Sequence, residues 1–231
     1  AYEIFDKAAK QGLFPSPYQR SLYNVNGLRA KPFWSLSDTG HEKLLKGIEK
    51  QWRLIRDEAV AIIDVDAGVF EPEDEKLTET GNWKQLTLYK RGVKVEKSCR
   101  RAPRTCQVVQ RFTAATDCTR GQIKFSILQP GAKVFPHCGP TNCRLRAHLG
   151  LIVPPEARLR VADLEPVPWT EGRFLVFDDS FEHEVWHNGS TFRLILIVDF
   201  WLPDLNEKTD TRPCTSIVWS THVKGRKIFR L

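Results

Sequence analysis

The chain has 231 residues, of which 41% are apolar and 27% are charged, and its formal net charge is +7. This composition excludes a disordered chain, and the length suits one β-rich domain. No apolar run approaches the roughly 18 residues of a membrane span. The basic excess is not accompanied by a nucleic-acid-binding motif, so we expect a solvated basic face and no nucleic-acid partner.

The N-terminal part is predicted to be helical and extended. Residues 1–12 favour a short helix, and residues 13–37 are rich in proline and aromatic residues and read as extended. Asp38 or Thr39 can cap a second helix that runs to about Asp64, because apolar residues recur there at helical spacing.

Short β-rich runs separated by proline and glycine begin at Trp83. Regular short strands of this kind are typical of a sandwich or barrel. We predict strands at residues 83–91, 106–113, 121–129, 143–153, 158–163, 173–177, 181–187 and 191–200.

Two of these strands carry polar residues on one face. In "RLRAHLGL", Arg144, Arg146 and His148 alternate with apolar residues, and in "QIKFSIL", Lys124 and Ser126 do the same. Successive side chains of a strand point to opposite faces of its sheet. These polar faces either line a cationic cavity that suits a small dianion or face water, as antiparallel strands commonly do.

The pentapeptide "HEVWH" at residues 183–187 matches the zinc-peptidase signature H-E-x-x-H, which works only on a helix. Asn-Gly follows it directly, between two β-branched and aromatic runs, and this pattern indicates a hairpin of two antiparallel strands. On a strand, His183 and His187 share a face while Glu184 points away. The pattern therefore disfavours a zinc peptidase.

A second constellation involves His137, His183 and Arg193. The two histidines lie 46 residues apart and the arginine follows ten residues later, a layout typical of Fe(II)/2-oxoglutarate oxygenases built on a double-stranded β-helix. Non-haem Fe(II) needs ligands on one face with open positions beside them, and a distal carboxylate favours arginine. For both His183 and Arg193 to point inward, the predicted hairpin needs a three-residue loop such as 187–189, or a bulge.

The chain resembles the aspartyl/asparaginyl β-hydroxylases, and most closely the aspartate β-hydroxylase domain-containing members. The resemblance extends over most of residues 11–205, through "FPSPYQRSLYNVNGLRAKPFW", "GQIKFSILQPGAKVFPHCGPTNCRLRAHLGL" and "FDDSFEHEVWHNGSTFRLILIVDFWLPDL". It implies a mainly β fold, a double-stranded β-helix (jelly-roll) with N-terminal helical support. We expect a single domain with a helical and extended part (1–82), the β-helix (83–202) and a C-terminal tail (203–231).

The resemblance also implies the chemistry and the site. It implies Fe(II), 2-oxoglutarate as co-substrate and dioxygen, and hydroxylation of Cβ of Asp or Asn in a protein or peptide substrate such as a disulfide-rich domain. His137 and His183 would be the iron ligands, and Ser126 and Arg193 would hold the distal carboxylate of 2-oxoglutarate. Arg146, with His148, would face the end of 2-oxoglutarate that chelates iron.

Two further residues of this region have open roles. Arg144 is expected either to contact a substrate carboxylate or to make an ordinary surface contact. Gly139 stands where most 2-oxoglutarate oxygenases carry Asp or Glu. The family has glycine there as well, so the resemblance implies a two-histidine site that retains iron weakly; 2-oxoglutarate halogenases share such a site.

Cys99 and Cys106 bracket a short basic segment, and their spacing suits either a local disulfide or two free surface thiols. The resemblance implies the disulfide. Asn188-Gly189-Ser190 is a glycosylation sequon. Together these features favour the lumen of the secretory pathway, specifically the endoplasmic reticulum.

The chain opens within a predicted helix and contains no Met, so we expect a fragment of a longer, single-pass membrane protein whose anchor lies outside this sequence. The alternative to an enzyme is a catalytically silent β-helix module that retains the metal and 2-oxoglutarate site but performs no turnover.

Overall fold

The computed structural model describes residues 2–12, 16–25, 27–65, 67–73 and 77–205. The predicted C-terminal tail therefore lies outside the described residues from position 206 onward. The described residues form the helices α1 (Tyr2–Lys10), α2 (Glu42–Glu49), α3 (Trp52–Val65), α4 (Glu96–Arg101), α5 (Pro103–Val109) and α6 (Thr113–Thr116). None of these helices is long and apolar enough to cross a membrane.

The strands of the described residues form two sheets. Their bounds are β1 (Phe33–Trp34), β2 (Glu71–Pro72), β3 (Thr78–Thr80), β4 (Trp83–Lys90), β5 (Val93–Lys94), β6 (Gln122–Leu128), β7 (Lys133–His137), β8 (Arg144–Ile152), β9 (Ala157–Val161), β10 (Phe174–Phe177), β11 (His183–His187) and β12 (Arg193–Trp201). The eight-stranded sheet has the order β1-β10-β8-β12-β6-β4-β2, with β5 paired to β4, and the four-stranded sheet has the order β3-β7-β11-β9. All of these pairs are antiparallel. The fold is the expected jelly-roll with helices at its N-terminal side.

Two apolar cores lie on the two faces of the eight-stranded sheet. On one face, Phe125 packs in a cluster with Ile55 of α3 and the other helices. On the other face, Ile195 packs with Leu159 and Val185 of the four-stranded sheet. A strand buried on both faces reads as a near-continuous apolar run, and "LILIV" in β12 has that character.

The polar faces of β6 and β8 are buried. Lys124, Ser126, Arg144, Arg146 and His148 are each at most 6% exposed. The alternative in which these faces meet water is therefore wrong. Their burial between two sheets requires every charged group to find a partner or a ligand.

The predicted helix from Asp38 or Thr39 to Asp64 is two helices. Its start falls in a 3₁₀ turn, Ser37–Thr39, which is followed by Gly40 in the left-handed conformation, and the break between α2 and α3 lies at residues 50–51. The Glu49 carboxylate at the end of α2 accepts a hydrogen bond from the backbone N–H of Phe174 at 2.9 Å. This contact fixes the end of α2 against β10.

The predicted strand at 106–113 is wrong, because this segment lies in α5 and the turn that leads to α6. Pro103 occupies the first turn of α5, a position that favours helix. The Glu58 carboxylate of α3 accepts hydrogen bonds from the backbone N–H groups of Arg104 (2.9 Å) and Thr105 (2.7 Å). These contacts satisfy donors that a helix start leaves open, and they outweigh the β preference of the valines in "CQVV".

The predicted hairpin between residues 181–187 and 191–200 is also wrong. Both segments are strands, but β11 pairs with β7 and β9, whereas β12 pairs with β6 and β8 in the other sheet. The Asn-Gly turn therefore carries the chain from one sheet to the other. The Gly189 N–H donates to His187 Nδ1 at 3.4 Å, and the ring Nε2 lies 2.5 Å from the Thr191 carbonyl oxygen. The loop-length requirement derived from a hairpin register consequently does not apply.

Candidate active site

A pair of histidines faces each other across two strands of the smaller sheet. His137 ends β7, a strand that the sequence pattern did not predict, and His183 begins β11. The antiparallel register places these two residues directly opposite each other, and their ring centroids lie 4.1 Å apart. Because "HEVWH" is a strand, Glu184 points away and pairs with Arg160. The zinc-peptidase geometry is absent.

The backbone fixes the tautomer of both rings. His137 Nδ1 lies 2.7 Å from the carbonyl oxygen of Phe135, and His183 Nδ1 lies 2.9 Å from that of Phe181. A carbonyl only accepts, so Nδ1 carries the proton in each ring and Nε2 carries the lone pair. This is the arrangement that orients histidine for metal binding. Burial, and then the neighbouring His137, hold the pKa of His183 well below its usual range, which keeps its imidazole neutral.

No group of three or more His, Cys, Asp or Glu side chains with metal-binding geometry occurs in the described part of the chain. The packing around Gly139 explains why this position carries no carboxylate side chain. A Cβ there would meet the carboxylate of Asp179, with Cγ at 2.5 Å and Oδ1 at 2.8 Å, and the Gly139 N–H donates to the Asp179 carbonyl oxygen at 2.5 Å. Asp179 thus occupies the space in which a side chain at 139 would lie.

Four buried charges surround this point. Arg144 Nη2 contacts Asp179 Oδ2 at 2.6 Å, and Arg144 Nη1 contacts Asp199 Oδ2 at 3.0 Å. Arg146 makes a bidentate pair with Asp199 through Nε (2.7 Å) and Nη2 (3.0 Å). Burial raises the pKa of Asp179, but the two arginines outweigh it and hold that pKa well below its usual range. The predicted cationic face of β8 is therefore neutralised by two carboxylates.

Arg193 differs from the other two arginines because no carboxylate pairs with it within the described residues. Its Nη2 donates to Ser126 Oγ at 2.9 Å, and its guanidinium lies over the Trp169 ring, 5.1 Å from the centroid. Its Nε is buried and has no hydrogen-bond partner in the part of the chain that the structure describes. Burial lowers the pKa of Arg193 to about 9, so the group remains a cation at neutral pH.

His148 has the opposite tautomer to the facing pair. The Trp169 Nε1–H donates to His148 Nδ1 at 3.3 Å, so the hydrogen of this ring lies on Nε2. That Nε2 is buried, and none of the described residues accepts a hydrogen bond from it. Burial, and then Arg146 and Arg193, hold the pKa of His148 well below its usual range. His148 is therefore a neutral imidazole whose Nε2–H can donate a hydrogen bond to a ligand.

These groups line one cavity between the sheets. His137 and His183 lie on the wall formed by the smaller sheet, and the polar residues of β6, β8 and β12 face them. The lining residues are Trp83, Ser126, Leu128, Val134, His137, Arg146, His148, His183, Val185, Arg193 and Ile197. Two unsatisfied donors, one of them cationic, fit an anionic ligand. Two lone pairs on facing imidazoles fit a metal ion.

Comparison with known proteins identifies the family. The model of the family described as "Aspartyl/Asparaginyl beta-hydroxylase" matches residues 49–203. The chain belongs to the aspartyl/asparaginyl β-hydroxylase family. The aspartyl/asparaginyl beta-hydroxylase of Homo sapiens is 53% identical over 206 residues, which cover 89% of this chain and 27% of that protein. Aspartate beta-hydroxylase domain-containing protein 2 of Homo sapiens is 32% identical over 197 residues, covering 83% of this chain and 53% of that protein.

Both kinds of relative expected from the sequence are therefore found. Sequence identity is higher with the aspartyl/asparaginyl beta-hydroxylase (53%) than with the domain-containing protein (32%). The chain spans about a quarter of the length of that relative. Among solved structures, an oxidoreductase of the 2OG-Fe(II) oxygenase family from Burkholderia pseudomallei matches with a TM-score of 0.43 and 14% identity, covering 78% of this chain and 96% of that one. The family assignment rests on the sequence matches.

The structure adds Trp83, Trp169 and Asp199 to the site of this β-hydroxylase family member, and it gives Asp179, which the sequence offered as a late ligand or a turn residue, the role of a partner to the arginines. Trp83 donates from Nε1 to Ser126 Oγ at 2.9 Å, and Trp169 sets the tautomer of His148. Asp179 and Asp199 neutralise the arginines. A signal existed for Asp199, because a lone carboxylate inside the apolar run "LILIVDFWL" requires a buried cation opposite it. Asp178, by contrast, has a turn role, accepting from the Ser180 N–H at 3.0 Å.

The remaining predicted positions are also placed. Cys99 and Cys106 form a disulfide that joins α4 to α5, so the alternative of two free thiols is wrong. Asn188 is exposed in the turn after β11. Arg144 is buried with Asp179 and Asp199 and makes no ordinary surface contact, although it also lines the groove at the mouth of the cavity.

Replacing Gly139 should destabilise the fold. We expect Gly139→Asp and Gly139→Ala each to lower the free energy of unfolding by about 1–3 kcal/mol, because the new Cβ overlaps the Asp179 carboxylate. Urea denaturation measures this. In an Asp179→Ser background the additional cost of Gly139→Ala should nearly vanish, and an undiminished cost there would show that the two positions do not compete for space.

Arg193 and Arg146 should respond in opposite directions to the same substitution. Arg193→Met removes a buried, unpaired charge and should raise the free energy of unfolding of the ligand-free protein by about 1–4 kcal/mol. Arg146→Met leaves Asp179 and Asp199 to share Arg144, so one buried negative charge is uncompensated and the free energy of unfolding should fall by about 3–5 kcal/mol. Chemical denaturation of the two variants provides a matched comparison. Destabilisation of similar size in both would mean that Arg193 is an ordinary structural arginine.

Proposed function

We propose that this chain carries an Fe(II)/2-oxoglutarate-dependent dioxygenase site that hydroxylates Cβ of Asp or Asn side chains in proteins of the secretory pathway. Membership of the β-hydroxylase family supports the hydroxylase chemistry. The observation that supports 2-oxoglutarate as the co-substrate is the buried Arg193. Its guanidinium has no carboxylate partner, and its Nε has no hydrogen-bond partner, in the described structure. Folding leaves such a group unpaired only at a cost, which a bound anion would offset.

The side chains that line the cavity match the two ends of 2-oxoglutarate in their chemistry. Arg193 and Ser126 would hold the distal carboxylate, because both face the cavity and the arginine supplies its unbalanced positive charge. Arg146 and the Nε2–H of His148 would face the keto-acid end, on the side of the histidine pair. Leu128, Val134 and Ile197 form the apolar part of the cavity lining.

The histidine pair fits Fe(II) as a two-residue site. His137 and His183 would supply Nε2, the atom that their backbone contacts leave as the lone-pair donor. Position 139 supplies no carboxylate ligand, because the Asp179 carboxylate fills the space beside it and pairs with Arg144. The negative charge of Asp179 therefore balances an arginine and does not strengthen iron binding. When bound, Fe(II) and 2-oxoglutarate supply the chemistry that uses dioxygen to convert C–H into C–OH, with succinate and carbon dioxide as co-products.

The neutralised pairs give the site its charge pattern. Asp199 and Asp179 balance Arg146 and Arg144, so the cavity retains one net positive charge, located at Arg193. This charge selects the position of the distal carboxylate and orients the opposite end toward the histidines. The neutral form of His183 is maintained by burial, so its lone pair is available without the loss of a proton.

A groove of about 660 Å³ opens from His137 to the surface. Its lining includes Phe5, Leu22 and the buried Arg144, together with Arg20, which pairs with Glu182. A groove of this size has room for a peptide segment, which is compatible with a protein substrate. Arg144 is our candidate contact for a substrate carboxylate.

The iron and oxygen dependence of succinate formation tests the activity. The protein is reconstituted anaerobically with Fe(II), given 2-oxoglutarate and exposed to oxygen. We expect iron-dependent succinate, and its loss in His183→Ala, because the pair then supplies one ligand. His187→Ala is the matched control, since His187 shares the strand face and caps the turn; it should retain succinate formation. Succinate unchanged by His183→Ala would contradict the assignment, and none from the wild type with a peptide substrate would favour a silent binding module.

The lumen of the endoplasmic reticulum, with a single-pass anchor in the full-length protein, is part of this proposal. The Cys99–Cys106 disulfide and the exposure of Asn188 in its sequon support it. Expression in secretory cells tests it: glycosidase treatment should shift the mobility of the wild type and not that of Asn188→Gln. Absence of a shift in the wild type would count against glycosylation at this turn.

A further inference from the structure

A second large groove lies in the helical layer. It is formed by α2, the start of α3 and α5, and has a volume of about 690 Å³. The helices cover the face of the eight-stranded sheet that carries Phe125, whereas the cavity of the active site lies on the opposite face. The two sites share no lining residue. Access to this groove is therefore independent of substrate entry.

The floor of the groove is apolar. Leu44 is 38% exposed there, above the buried Ile48 and Phe112. Gly47 lies beside it on the same helix, and a Cβ at this position would meet no atom within 4 Å. The missing side chain keeps the floor open. The floor residues are Leu44, Ile48, Leu54, Val108 and Phe112.

The rim of the groove is basic. Lys43, Arg104 and Arg111 supply its charges, and neither Asp nor Glu contributes to the lining. None of the three side chains forms an ion pair with an acid of the described ranges. The nearby acids of α2 are used elsewhere, since Glu42 pairs with Lys46 and Glu49 with Arg173.

The walls of the groove are held in place before any partner binds. The disulfide joins α5 to α4, and the Glu58 carboxylate ties the start of α5 to α3 through the N–H groups of Arg104 and Thr105 and through Thr105 Oγ1 at 2.6 Å. A preformed surface loses little conformational entropy on binding. An apolar floor with an unbalanced basic rim is thus presented permanently.

We propose that this groove docks an acidic amphipathic helix of a partner protein. Apolar side chains at positions i, i+3, i+4 and i+7 of such a helix would cover the floor. Carboxylates on its flanks would meet Lys43, Arg104 and Arg111. A nucleic acid would satisfy the cations but leave the apolar floor in water, and a copy of this chain would bring further positive charge; both fit less well. The proposal is independent of the hydroxylase chemistry.

The probe is a fluorescein-labelled synthetic peptide of about four helical turns, with leucine on one stripe and glutamate elsewhere. Fluorescence anisotropy measures its binding to the intact protein. We expect binding that weakens with salt. Binding should fall by about tenfold or more in Arg104→Glu/Arg111→Glu. Lys7→Glu/Lys97→Glu makes the same change of charge outside the groove, and its affinity should stay within about twofold.

Gly47→Phe distinguishes a loss of binding caused by a blocked groove from one caused by unfolding of the protein. The new ring has open space at its Cβ and fills the groove, and phenylalanine is a better helix former than glycine. The variant should therefore keep its melting temperature and lose peptide binding. Equal binding of a peptide with the leucine stripe scrambled, or of a lysine-for-glutamate peptide, would overturn the proposal. Displacement by an oligonucleotide, or a dimer that Gly47→Phe converts to monomer, would also overturn it.

Discussion

Two buried arginines and two buried carboxylates organise the site. Arg144 and Arg146 of β8 meet Asp199 of β12 and Asp179 after β10, so the ion pairs link three neighbouring segments of the eight-stranded sheet. Asp179 then lies against Gly139, two residues beyond His137. The same carboxylate that balances an arginine therefore fixes the backbone that carries a proposed metal ligand. Removing any one of these charges would leave another uncompensated in the interior.

Because Asp179 and Asp199 neutralise Arg144 and Arg146, Arg193 is the source of the net positive charge at the cavity. Three arginines lie buried close to one cavity, yet only Arg193 lacks a carboxylate partner among the described residues. Had all three been unpaired, the cavity would repel cations and bind anions without regard to position. With two neutralised, a single positive charge marks one end, and the lone pairs of two histidines mark the other. A ligand with a carboxylate at one end and a metal-chelating group at the other matches this polarity.

The three histidines of the cavity are distinguished by their neighbours. His137 and His183 each contact the carbonyl two residues earlier, which places the lone pair on Nε2. His148 accepts from an indole, which places the hydrogen on Nε2. Identical side chains thus present either a lone pair or a hydrogen at Nε2 according to one contact each.

The sequence predicted much of the fold where the signal was local. The alternation in "RLRAHLGL" and "QIKFSIL" identified β8 and β6 together with their polar faces. It failed where tertiary contacts decide: residues 106–113 are helical because Pro103 and Glu58 start a helix, and the Asn-Gly turn joins two sheets because β11 finds its partners in β7 and β9. Strand β7 was missed because Pro136 and a short polar segment hide its alternation.

Only part of the site was predicted, because the rest of it depends on tertiary packing. The residues proposed to hold iron and 2-oxoglutarate follow from the family resemblance, and the strand pattern placed Ser126, Arg146 and His148 on polar faces. Asp179 and Asp199 were not assigned to the site, since pairing across β8 and β12 depends on sheet order, which one sequence does not encode locally. That Gly139 makes room for Asp179 is a property of the packed structure alone.

The central claim is that the unpaired charge of Arg193 recognises the distal carboxylate of the co-substrate. Calorimetric titration under anaerobic conditions, with Mn(II) in place of Fe(II), tests it by comparing 2-oxoglutarate with pyruvate, which has the keto-acid end alone. We predict that 2-oxoglutarate binds about tenfold to a hundredfold more tightly, and that this preference disappears in Arg193→Met. Equal affinity for the two ligands, or a preference that survives the substitution, would contradict the account.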